Sequence, residues 1–382
     1  MKTVAIISMT QTARDNRVLR HIAALSQAFH VISIGFGPCP PGVLQHISIP
    51  PSMQYLPLNP TALIPQLLHI FRVSSTRTSA VRFVRVALDQ LTVDAVLLND
   101  VQTLPLMDSI SVPVMVDMHE YAPREMEEDW RFRIFLMRYY GWLCRRYLPR
   151  AARVSTVSRS LAEEFSRTFG VNCSVILNAR GELDLPVAKS SLPPLRLVHS
   201  GLAARARHLE VMIDAVANVP GVQLDLFLVQ APRQQAVLHR LKRRAQRSNN
   251  IRVMDPVPSD DLPEVISQYD LALIYIAPSS FTLKHSMPNK LFDSIQARVG
   301  IVSGPSPDIV DFCRRTGVGV WTEHFSPIAL RELLAQLTSK AVNAMREASD
   351  AAAREFNQNS EASKLLHEVH AIISSSSAAK LL

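Results

Sequence analysis

Short β-rich strands that alternate with amphipathic helices limit the folds that this chain can adopt. The first such unit runs from the strand Val4–Ile7, through a polar loop and a helix, to the strand Val31–Ile34. Strand, helix and strand at this spacing form a βαβ unit, which implies a parallel sheet with covered faces. The pattern restarts with the strand Leu195–His199 and the helix Leu209–Val219. The sequence therefore predicts an α/β protein with one parallel sheet in each half.

A proline- and serine-rich segment separates the two halves. With 382 residues, the chain is long enough for about two or three domains with sizeable cores. Residues Glu182–Leu195 contain three prolines and adjacent serines, and they show little periodicity. Such composition is typical of an interdomain linker. We predict a first domain over residues 1–185, a second over 186–355, and a helical tail over 356–382 that packs back toward the first.

Charge and cysteine usage narrow the possible partners and the compartment. The formal net charge is +8, which favours anionic ligands such as phosphates, nucleic acid or acidic lipids without choosing among them. No nucleic-acid-binding motif is present, so we expect no nucleic-acid partner. No apolar run approaches the roughly 20 residues that span a bilayer. The apolar run near the N-terminus is also too short for a secretory signal. The four cysteines lie far apart, which indicates reduced thiols in a cytoplasmic protein.

The stretch Ser286–Gly304 predicts a loop, the N-terminus of a short helix and a buried strand. Pro288 suits the first helical turn, and Lys290 and Asp293 are three residues apart on one side of the helix. Free amides at a helix N-terminus beside a cation favour phosphate, and an acid one turn further on can hold ribose hydroxyls. A solvated helix face is the alternative, because charged residues usually are exposed.

Polar residues also follow two predicted strands of the first half. Asp100 follows the strand Ala95–Leu98, and His119 and Glu120 follow the strand Val112–Val116. Parallel α/β sheets bind ligands at the carboxyl ends of their strands, so these three residues stand where chemistry is expected. A structural histidine that caps a turn is the alternative for His119. The loop after the first strand lacks G-x-G-x-x-G, which argues against hydride chemistry with NAD.

The stretch Trp130–Arg150 interleaves arginines with tryptophans, tyrosines and aliphatic residues. A basic, aromatic, amphipathic helix of this kind can lie on an anionic membrane surface. It can equally be a domain helix that packs its aromatic face on the sheet and leaves the arginines in water. We predict peripheral association with the cytoplasmic face of the membrane through Trp130–Arg150 and the basic region near Arg72–Arg85.

Four segments together resemble the retaining glycosyltransferases of family 4. ARDNRV resembles the Asp-x-Arg-Val start of the first helix in one subgroup, and DMHEY resembles its Asp-x-His-Glu strand end. SGLAARARHLEVMIDA is similar to the glycine-led loop and helix that open the second domain, and SMPNKLFD to the helix Pro-Asn-Lys-Leu-Phe-Glu that holds the donor. The resemblance implies the GT-B architecture, two Rossmann-like parallel-sheet domains facing each other across a cleft.

The resemblance also assigns roles to residues of this chain. It implies that His119, Glu120, Arg207 and Lys290 are catalytic. It places the donor on the C-terminal domain, against Gly201, Arg205, Arg207, His285, Pro288, Asn289, Lys290, Leu291 and Asp293. Asp15, Arg17 and Asp100 fall on the acceptor side. Five positions depart from the family pattern. Leu202 replaces a cation, His285 replaces an acid and Asp293 replaces a glutamate, and Arg298 and Gly300 replace the usual small-glycine and proline residues after the helix.

The function implied by the resemblance is transfer of a sugar, of hexosyl type, from a nucleotide-diphosphate sugar with retention of configuration. His119 positions the sugar and Glu120 is the rival acid/base, while no metal and no other cofactor is needed. The implied acceptor is a glycan or a lipid-linked precursor of cell-envelope polysaccharide or glycolipid. Two alternatives stay open. One is a sugar-nucleotide epimerase of the same fold, and the other is a non-catalytic protein that binds nucleotide sugars.

Overall fold

The computed structural model describes residues 1–58, 60–76 and 78–379. Contacts divide the chain into two compact units, Met1–Leu177 with Asn359–Leu382, and Asn178–Gln358. Arg77, in the predicted membrane-binding region, and residues 380–382 of the predicted tail lie outside the described residues. No helix in these ranges is long and apolar enough to cross a membrane.

The first unit contains a seven-stranded sheet within the described ranges. Its strands are β1 (Thr3–Gln11), β2 (His30–Phe36), β3 (Gln45–Ile49), β4 (Ala95–Asn99), β5 (Val114–Met118), β6 (Arg153–Thr156) and β7 (Cys173–Val175). Its first seven helices are α1 (Asn16–Leu25), α2 (Pro60–Leu67), α3 (Phe71–Thr76), α4 (Ser79–Asp89), α5 (Trp130–Phe135), α6 (Met137–Tyr147) and α7 (Arg159–Phe169).

The second unit contains a six-stranded sheet in its described part. Its strands are β8 (Leu195–Ala203), β9 (Val222–Gln230), β10 (Ile251–Met254), β11 (Leu271–Ile274), β12 (Gly300–Ser303) and β13 (Gly319–Trp321). Its helices are α8 (Glu210–Val216), α9 (Gln235–Ala245), α10 (Leu262–Ser267), α11 (Phe281–His285), α12 (Asn289–Gln296), α13 (Pro307–Thr316), α14 (Pro327–Ala335) and α15 (Ser339–Glu355). The last helix, α16 (Gln358–Ala379), returns the chain to the first unit.

Both sheets are parallel throughout, as the sequence predicted. The strand order is β3-β2-β1-β4-β5-β6-β7 in the first and β10-β9-β8-β11-β12-β13 in the second. The order reverses between β1 and β4 and between β8 and β11. In open α/β sheets such a reversal opens a crevice at the carboxyl ends of the strands, where ligands bind. The loops that follow β1, β4, β5, β8 and β11 are therefore the places to look for function.

The structure divides the chain at somewhat different residues from those we predicted. The unit boundaries follow Leu177 and Gln358, whereas the sequence placed them after residues 185 and 355. Residues 178–185 belong to the second unit because they hydrogen-bond there. Leu183 N donates to Gln296 Oε1 at 3.0 Å, and Arg298 Nη2 donates to Leu183 O at 2.7 Å.

The helix α16 completes the core of the first unit. Its buried residues Leu365, Val369, Ile372 and Ile373 pack in one cluster with apolar residues of β1, α1 and β2. Helices on both faces of a parallel sheet are what this topology requires, because each face is apolar. The C-terminal segment is therefore a structural part of the first unit and not an appendage to the second.

We expect Leu365→Ala to destabilise the first unit. Leu365 is 1% exposed in the core cluster, so truncation leaves a cavity that costs about 2–5 kcal/mol of unfolding free energy. Urea denaturation measures the change. Leu44→Ala, at a leucine of the same unit that is 67% exposed, is the matched control and should change stability by less than about 0.5 kcal/mol. Equal effects of the two substitutions would contradict this role of α16.

Candidate functional site

In the first unit, His119 lies between two aspartates at the carboxyl ends of β4 and β5. Its Nδ1 is 3.1 Å from Asp100 Oδ2, and its Nε2 is 3.2 Å from Asp117 Oδ2. The backbone N–H of His119 also donates to Asp100 Oδ1 at 3.0 Å. β4 and β5 are neighbours in the sheet, which is why residues that follow them meet. Asp100, His119 and Asp117 therefore form one cluster, of which the sequence assigned only the first two to the site.

Arg17 anchors this cluster from inside the unit. Its side chain is 5% exposed, and its Nε and Nη2 donate to the two carboxylate oxygens of Asp117 at 2.5 and 2.7 Å. Ser155 Oγ donates to the same carboxylate at 2.6 Å. Asp15 begins α1 as its N-cap, since its side chain accepts from the backbone N–H groups of Arg17 and Val18. Two of the three residues predicted on the acceptor side thus have structural roles: Asp15 starts a helix and Arg17 holds Asp117.

The two aspartates hold His119 in its charged form. Burial alone would lower the pKa of His119, but Asp100 and Asp117 outweigh it and raise the pKa to about 10. Asp117 itself is buried, which opposes ionisation, yet Arg17 keeps the pKa of its carboxyl well below the usual range. His21 is also buried next to Asp117, and there burial prevails and lowers its pKa to about 4. His119 is therefore a cation and a hydrogen-bond donor at neutral pH, not a base.

Two glutamates lie in the loop after β5. Glu120, the predicted rival acid/base, is exposed, whereas Glu125 is half-buried. Burial, together with the nearby charges of Glu120 and Asp100, raises the pKa of Glu125 to about 8. A carboxyl group that titrates near neutral pH suits general acid or base chemistry. No sequence pattern pointed to Glu125, because its environment depends on how the loop folds back.

In the second unit, two cations meet over Gly201 at the end of β8. A Cβ placed on Gly201 would lie 2.8 Å from Lys290 Nζ and 3.2 Å from Arg207 Nη1. The φ of Gly201 is +151°, a value that side chains rarely adopt. Only glycine therefore fits between these two groups. The structure brings together three predicted donor-binding residues that lie up to 89 positions apart in the sequence.

Lys290 carries the clearest mark of a ligand site. Its ammonium nitrogen is buried and has no hydrogen-bond partner in the part of the chain that the structure describes. Burial, followed by repulsion from Arg207, lowers the pKa of Lys290 to about 7. A buried cation without an acceptor is costly unless a ligand supplies one. An anion with several oxygens, placed next to Gly201, would satisfy Lys290 and relieve its repulsion with Arg207.

His199 lines the same place and was not predicted. Its Nδ1 lies 2.7 Å from the carbonyl of Leu273 and donates to it, and its Nε2 would be 3.6 Å from a Cβ on Gly201. Burial and the neighbouring cations lower the pKa of His199 well below its usual value. His199 is therefore neutral, and it adds no further positive charge beside Lys290 and Arg207. Its position in the middle of β8 looked like that of an ordinary strand residue.

The acid predicted to hold the ribose is paired within the second unit. Asp293 Oδ1 accepts from Arg180 Nε at 2.8 Å, and Arg180 Nη2 also donates to Ser259 Oγ at 2.9 Å. Asn289 is exposed, and its Oδ1 accepts from Asn178 at 2.5 Å. Pro288 is the N-cap of α12, and Leu291 is buried in the core behind it. Arg180 was not predicted, since it lies 113 positions from its partner.

The two remaining residues predicted to bind the donor, Arg205 and His285, have different environments. Arg205 lies with Arg207 in a short 3-10 turn after β8, and its side chain is exposed. His285 ends α11, where its Nδ1 is 3.4 Å from Oδ2 of the buried Asp308. Within the described ranges, no group of three or more histidines, cysteines, aspartates or glutamates is arranged as a metal site.

Comparison with known proteins identifies the fold. No model of a known protein family matches the sequence, and no curated protein matches it either. Among solved structures, sucrose-phosphate synthase from Thermosynechococcus elongatus has a TM-score of 0.72 at 11% identity, over 98% of this chain and 100% of that one. HepE from Anabaena, in complex with UDP and glucose, has a TM-score of 0.70 at 12% identity, over 97% and 100%. A glycosyltransferase from Rickettsia africae has a TM-score of 0.68 at 13% identity, over 97% and 98%.

These similarities extend over nearly the whole length of each chain. Together with the two parallel sheets, they show that this chain has the GT-B fold, which confirms the fold predicted from the sequence. At such low identity the similarity establishes the fold alone, because one fold supports many activities. The function has to be argued from the two clusters of residues described above.

We expect the charge state of His119 to be visible by NMR. Because its pKa of about 10 exceeds the ordinary value of 6.5, protonation contributes stability that is complete below about pH 6.5 and is lost as the pH rises toward 10. A titration of histidine side-chain nitrogens should show His119 protonated at pH 8. Asp100→Asn should lower its pKa by more than about one unit.

His21 is the internal control for this titration. Its pKa is lowered to about 4, so it should stay neutral from pH 8 down to about pH 5. The stability gained from keeping His21 neutral is present above pH 6.5 and is lost as the pH falls toward 4. Titration of His119 near pH 6.5, like an exposed histidine, would contradict the proposed cluster.

Proposed function

We propose that this protein is a glycosyltransferase that uses a nucleotide-diphosphate sugar as its donor. The observation that carries the proposal is the ammonium of Lys290, which is buried beside Arg207 and Gly201 and has no hydrogen-bond partner in the described part of the chain. Two cations at one glycine-lined position match the diphosphate of a nucleotide sugar. Support also comes from HepE, which shares the GT-B fold and has been solved with UDP and with UDP-glucose. The resemblance of four segments to family 4 points the same way.

The chemistry follows from the charges. Breaking the bond between the sugar and the diphosphate leaves negative charge on the phosphate oxygens. Lys290 and Arg207 can stabilise that charge, and in a buried site their effect is larger than in water. Binding of the diphosphate should itself raise the lowered pKa of Lys290, so that the lysine is charged when the bond breaks. We therefore propose that the positive charge needed for departure comes from side chains, and that the reaction is metal-independent.

His119 suits a positioning role in this reaction. It is held as a cation by Asp100 and Asp117, so it donates hydrogen bonds and does not accept a proton. We propose that its Nε2–H, which makes no hydrogen bond to the described residues although Asp117 is close, donates to a hydroxyl of the donor sugar, and that the sugar is transferred with retention of configuration. Asp293, oriented by Arg180, is proposed to bind the ribose of the nucleotide. The acceptor is proposed to be a glycan or a lipid-linked precursor.

A non-catalytic nucleotide-sugar-binding protein is the second candidate. It is favoured by His285, which occupies the position of an acid in family 4 and lies against Asp308. Leu202 likewise supplies no charge where the family has a cation. Both candidates predict donor binding, so binding experiments test their shared part and turnover separates them.

We expect binding of a nucleoside diphosphate to take up a proton. At pH 8.5 Lys290, with a pKa of about 7, is mostly neutral in the empty site. A bound diphosphate raises that pKa, and about one proton is taken up for each ligand bound. Calorimetry with UDP in buffers of different ionisation enthalpy measures this number. At pH 5.5, where Lys290 is already charged, the uptake by Lys290 should vanish.

Lys290→Met tests the assignment, with Lys242→Met on the exposed face of α9 as the matched control. Loss of one charge-assisted contact should weaken UDP binding about 10- to 100-fold and remove the proton uptake at pH 8.5. The control should change neither quantity. If no nucleoside diphosphate or nucleotide sugar binds or raises the melting temperature, the proposed function is wrong.

We expect turnover to be insensitive to EDTA and to retain the donor configuration. Donor hydrolysis, with water as the surrogate acceptor, can be followed by proton NMR, which distinguishes the first-formed anomer. His119→Gln should lower kcat by about 100-fold or more while UDP binding changes less than about twofold, because the histidine is proposed to act on the sugar. Loss of activity in EDTA, or an inverted first product, would contradict the proposed mechanism.

The same experiment separates the alternatives. Free epimerised nucleotide sugar, formed without an acceptor, would identify an epimerase. Tight donor binding with neither hydrolysis nor transfer to a panel of glycans and lipid-linked sugars would identify a binding protein. In both cases the diphosphate site around Lys290 would stand, and only the reaction would change.

A further inference from the structure

The first unit exposes an unusual number of large apolar side chains on two helical segments. Ile64 and Leu68, in and after α2, are 65% and 66% exposed, and Leu67 and Ile70 are about half exposed. On α5, Trp130 is 56% exposed and Ile134 is 54% exposed. Single exposed apolar residues need no explanation, but a contiguous group indicates an interaction surface. We call these six residues the apolar surface.

The two segments lie side by side. Arg138 Nη1 donates to His69 Nε2 at 3.2 Å, and Gln66 Nε2 donates to the carbonyl of Phe135. Behind them, the ring of Phe71 packs 5.8 Å from those of Tyr139 and Trp142. These contacts join the α2–α3 segment to α5 and α6. The two parts of the apolar surface therefore lie on adjoining segments.

The burial of side chains differs between α5 and α6, and it separates Trp130 and Ile134 from the core residues. The helix α5 buries Phe132 and turns Trp130 and Ile134, four residues apart, to solvent. In contrast, α6 buries its tyrosines, as a domain helix does. The stretch Trp130–Arg150, for which two interpretations were open, thus divides into a packing helix α6 and an exposed helix α5.

Positive charge surrounds the apolar surface. Residues 60–88 and 130–150 together contain ten arginines and no aspartate or glutamate. Among them, Arg72, Arg131, Arg133, Arg138 and Arg145 are exposed. Four acids stand directly before α5. Glu125 is half-buried, Glu127 pairs with Arg124, Asp129 accepts from the backbone of Arg131 as the N-cap of the helix, and Glu128 is exposed. A surface of this composition matches a partner that is apolar at depth and anionic where it meets water.

We propose that the apolar surface docks on an anionic lipid bilayer. Trp130, Ile134 and the leucines of the α2 segment enter the boundary between headgroups and acyl chains, and the arginines bind the lipid phosphates. The inference is independent of glycosyl transfer. Where the proposed transfer does hold, docking brings the enzyme to an acceptor carried on a lipid.

A second copy of this chain is a poorer occupant. A two-fold dimer places the same surface on both sides of the interface. The exposed arginines of the two copies would then face each other, and the exposed Glu128 would offset their repulsion only in part, which is unfavourable. An anionic membrane has no such penalty.

Vesicle flotation tests the proposal with the full-length protein. The anionic vesicles consist of phosphatidylcholine with about 30% phosphatidylglycerol, which approximates an anionic leaflet. They should bind the protein at low salt. Pure phosphatidylcholine vesicles should bind it at least about tenfold more weakly. Binding to the anionic vesicles should also fall in 0.5 M salt, because the Debye length then shortens to roughly a few ångström and screens the arginines from the lipid phosphates.

Variants of exposed residues locate the surface without disturbing the core. Arg131→Gln with Arg133→Gln should lower the partition coefficient about 25-fold, since each arginine contributes about fivefold. The exposed pair Arg240→Gln with Arg243→Gln on α9 is the charge-matched control. Leu68→Ser with Trp130→Ser should weaken binding at least about tenfold, whereas Ile328→Ser, at a residue 67% exposed in the second unit, should have no effect.

The outcomes decide the proposal. No binding to anionic vesicles at low salt would overturn it, as would equal losses in the surface variants and their controls. A dimer in sedimentation that Leu68→Ser with Trp130→Ser abolishes would assign the surface to a second copy instead. UDP binding, measured on the same variants without lipid, should be unchanged, so a failure here is distinguishable from a failure of the proposed glycosyl transfer.

Discussion

The buried ammonium of Lys290, which has no hydrogen-bond partner in the described part of the chain, is the constraint on which the functional interpretation depends. A buried ammonium normally pairs with an acid, because an isolated charge in the protein interior is strongly unfavourable. Lys290 instead faces Arg207 across a glycine, and Asp293, one turn along α12, is held by Arg180. The second unit thus keeps two cationic side chains close together, and a bound anion would relieve their repulsion. This is the pattern expected of a binding site and not of a structural ion pair, because the favourable partner arrives with the ligand.

In the first unit, buried positive and negative side chains are paired with one another. There the charges are compensated: Arg17 neutralises Asp117, and His119 is shared between Asp117 and Asp100. Burial of a set with balanced charges fixes the geometry, and Ser155 adds one more hydrogen bond to Asp117. The consequence is an imidazolium whose position and charge are set by the protein before any ligand binds. Such preorganisation lowers the cost of orienting a polar substrate group.

Sequence patterns were sufficient for the fold and for part of each cluster. Strand periodicity located both sheets, and strand ends identified Asp100 and His119, because parallel topology brings those ends to one edge. The motif helix identified Lys290 and Asp293. Sequence reasoning missed four residues of the clusters, because their roles depend on partners that only folding brings close: Asp117, Arg180, His199 and Glu125. Arg180 and Asp293 are 113 residues apart, and nothing in the local sequence couples them. Residues 178–185 were misplaced for the same reason, as only their hydrogen bonds assign them to the second unit.

The stretch Trp130–Arg150 shows why composition alone could not decide between packing and surface roles. Both α5 and α6 contain aromatic residues and arginines, yet α6 buries Tyr139, Tyr140 and Tyr147 while α5 exposes Trp130. The difference arises from the neighbouring α2–α3 segment. Phe71 of this segment packs on the aromatic rings of α6, whereas its contact with the end of α5 is the hydrogen bond from Gln66 to Phe135. An apolar surface left at that border costs the isolated chain solubility. The exposed arginines, which outnumber the exposed acids beside them, offset that cost in water, and the same arginines attract an anionic bilayer. One set of residues therefore serves both states, which is the physical argument for a membrane and against an accidental patch.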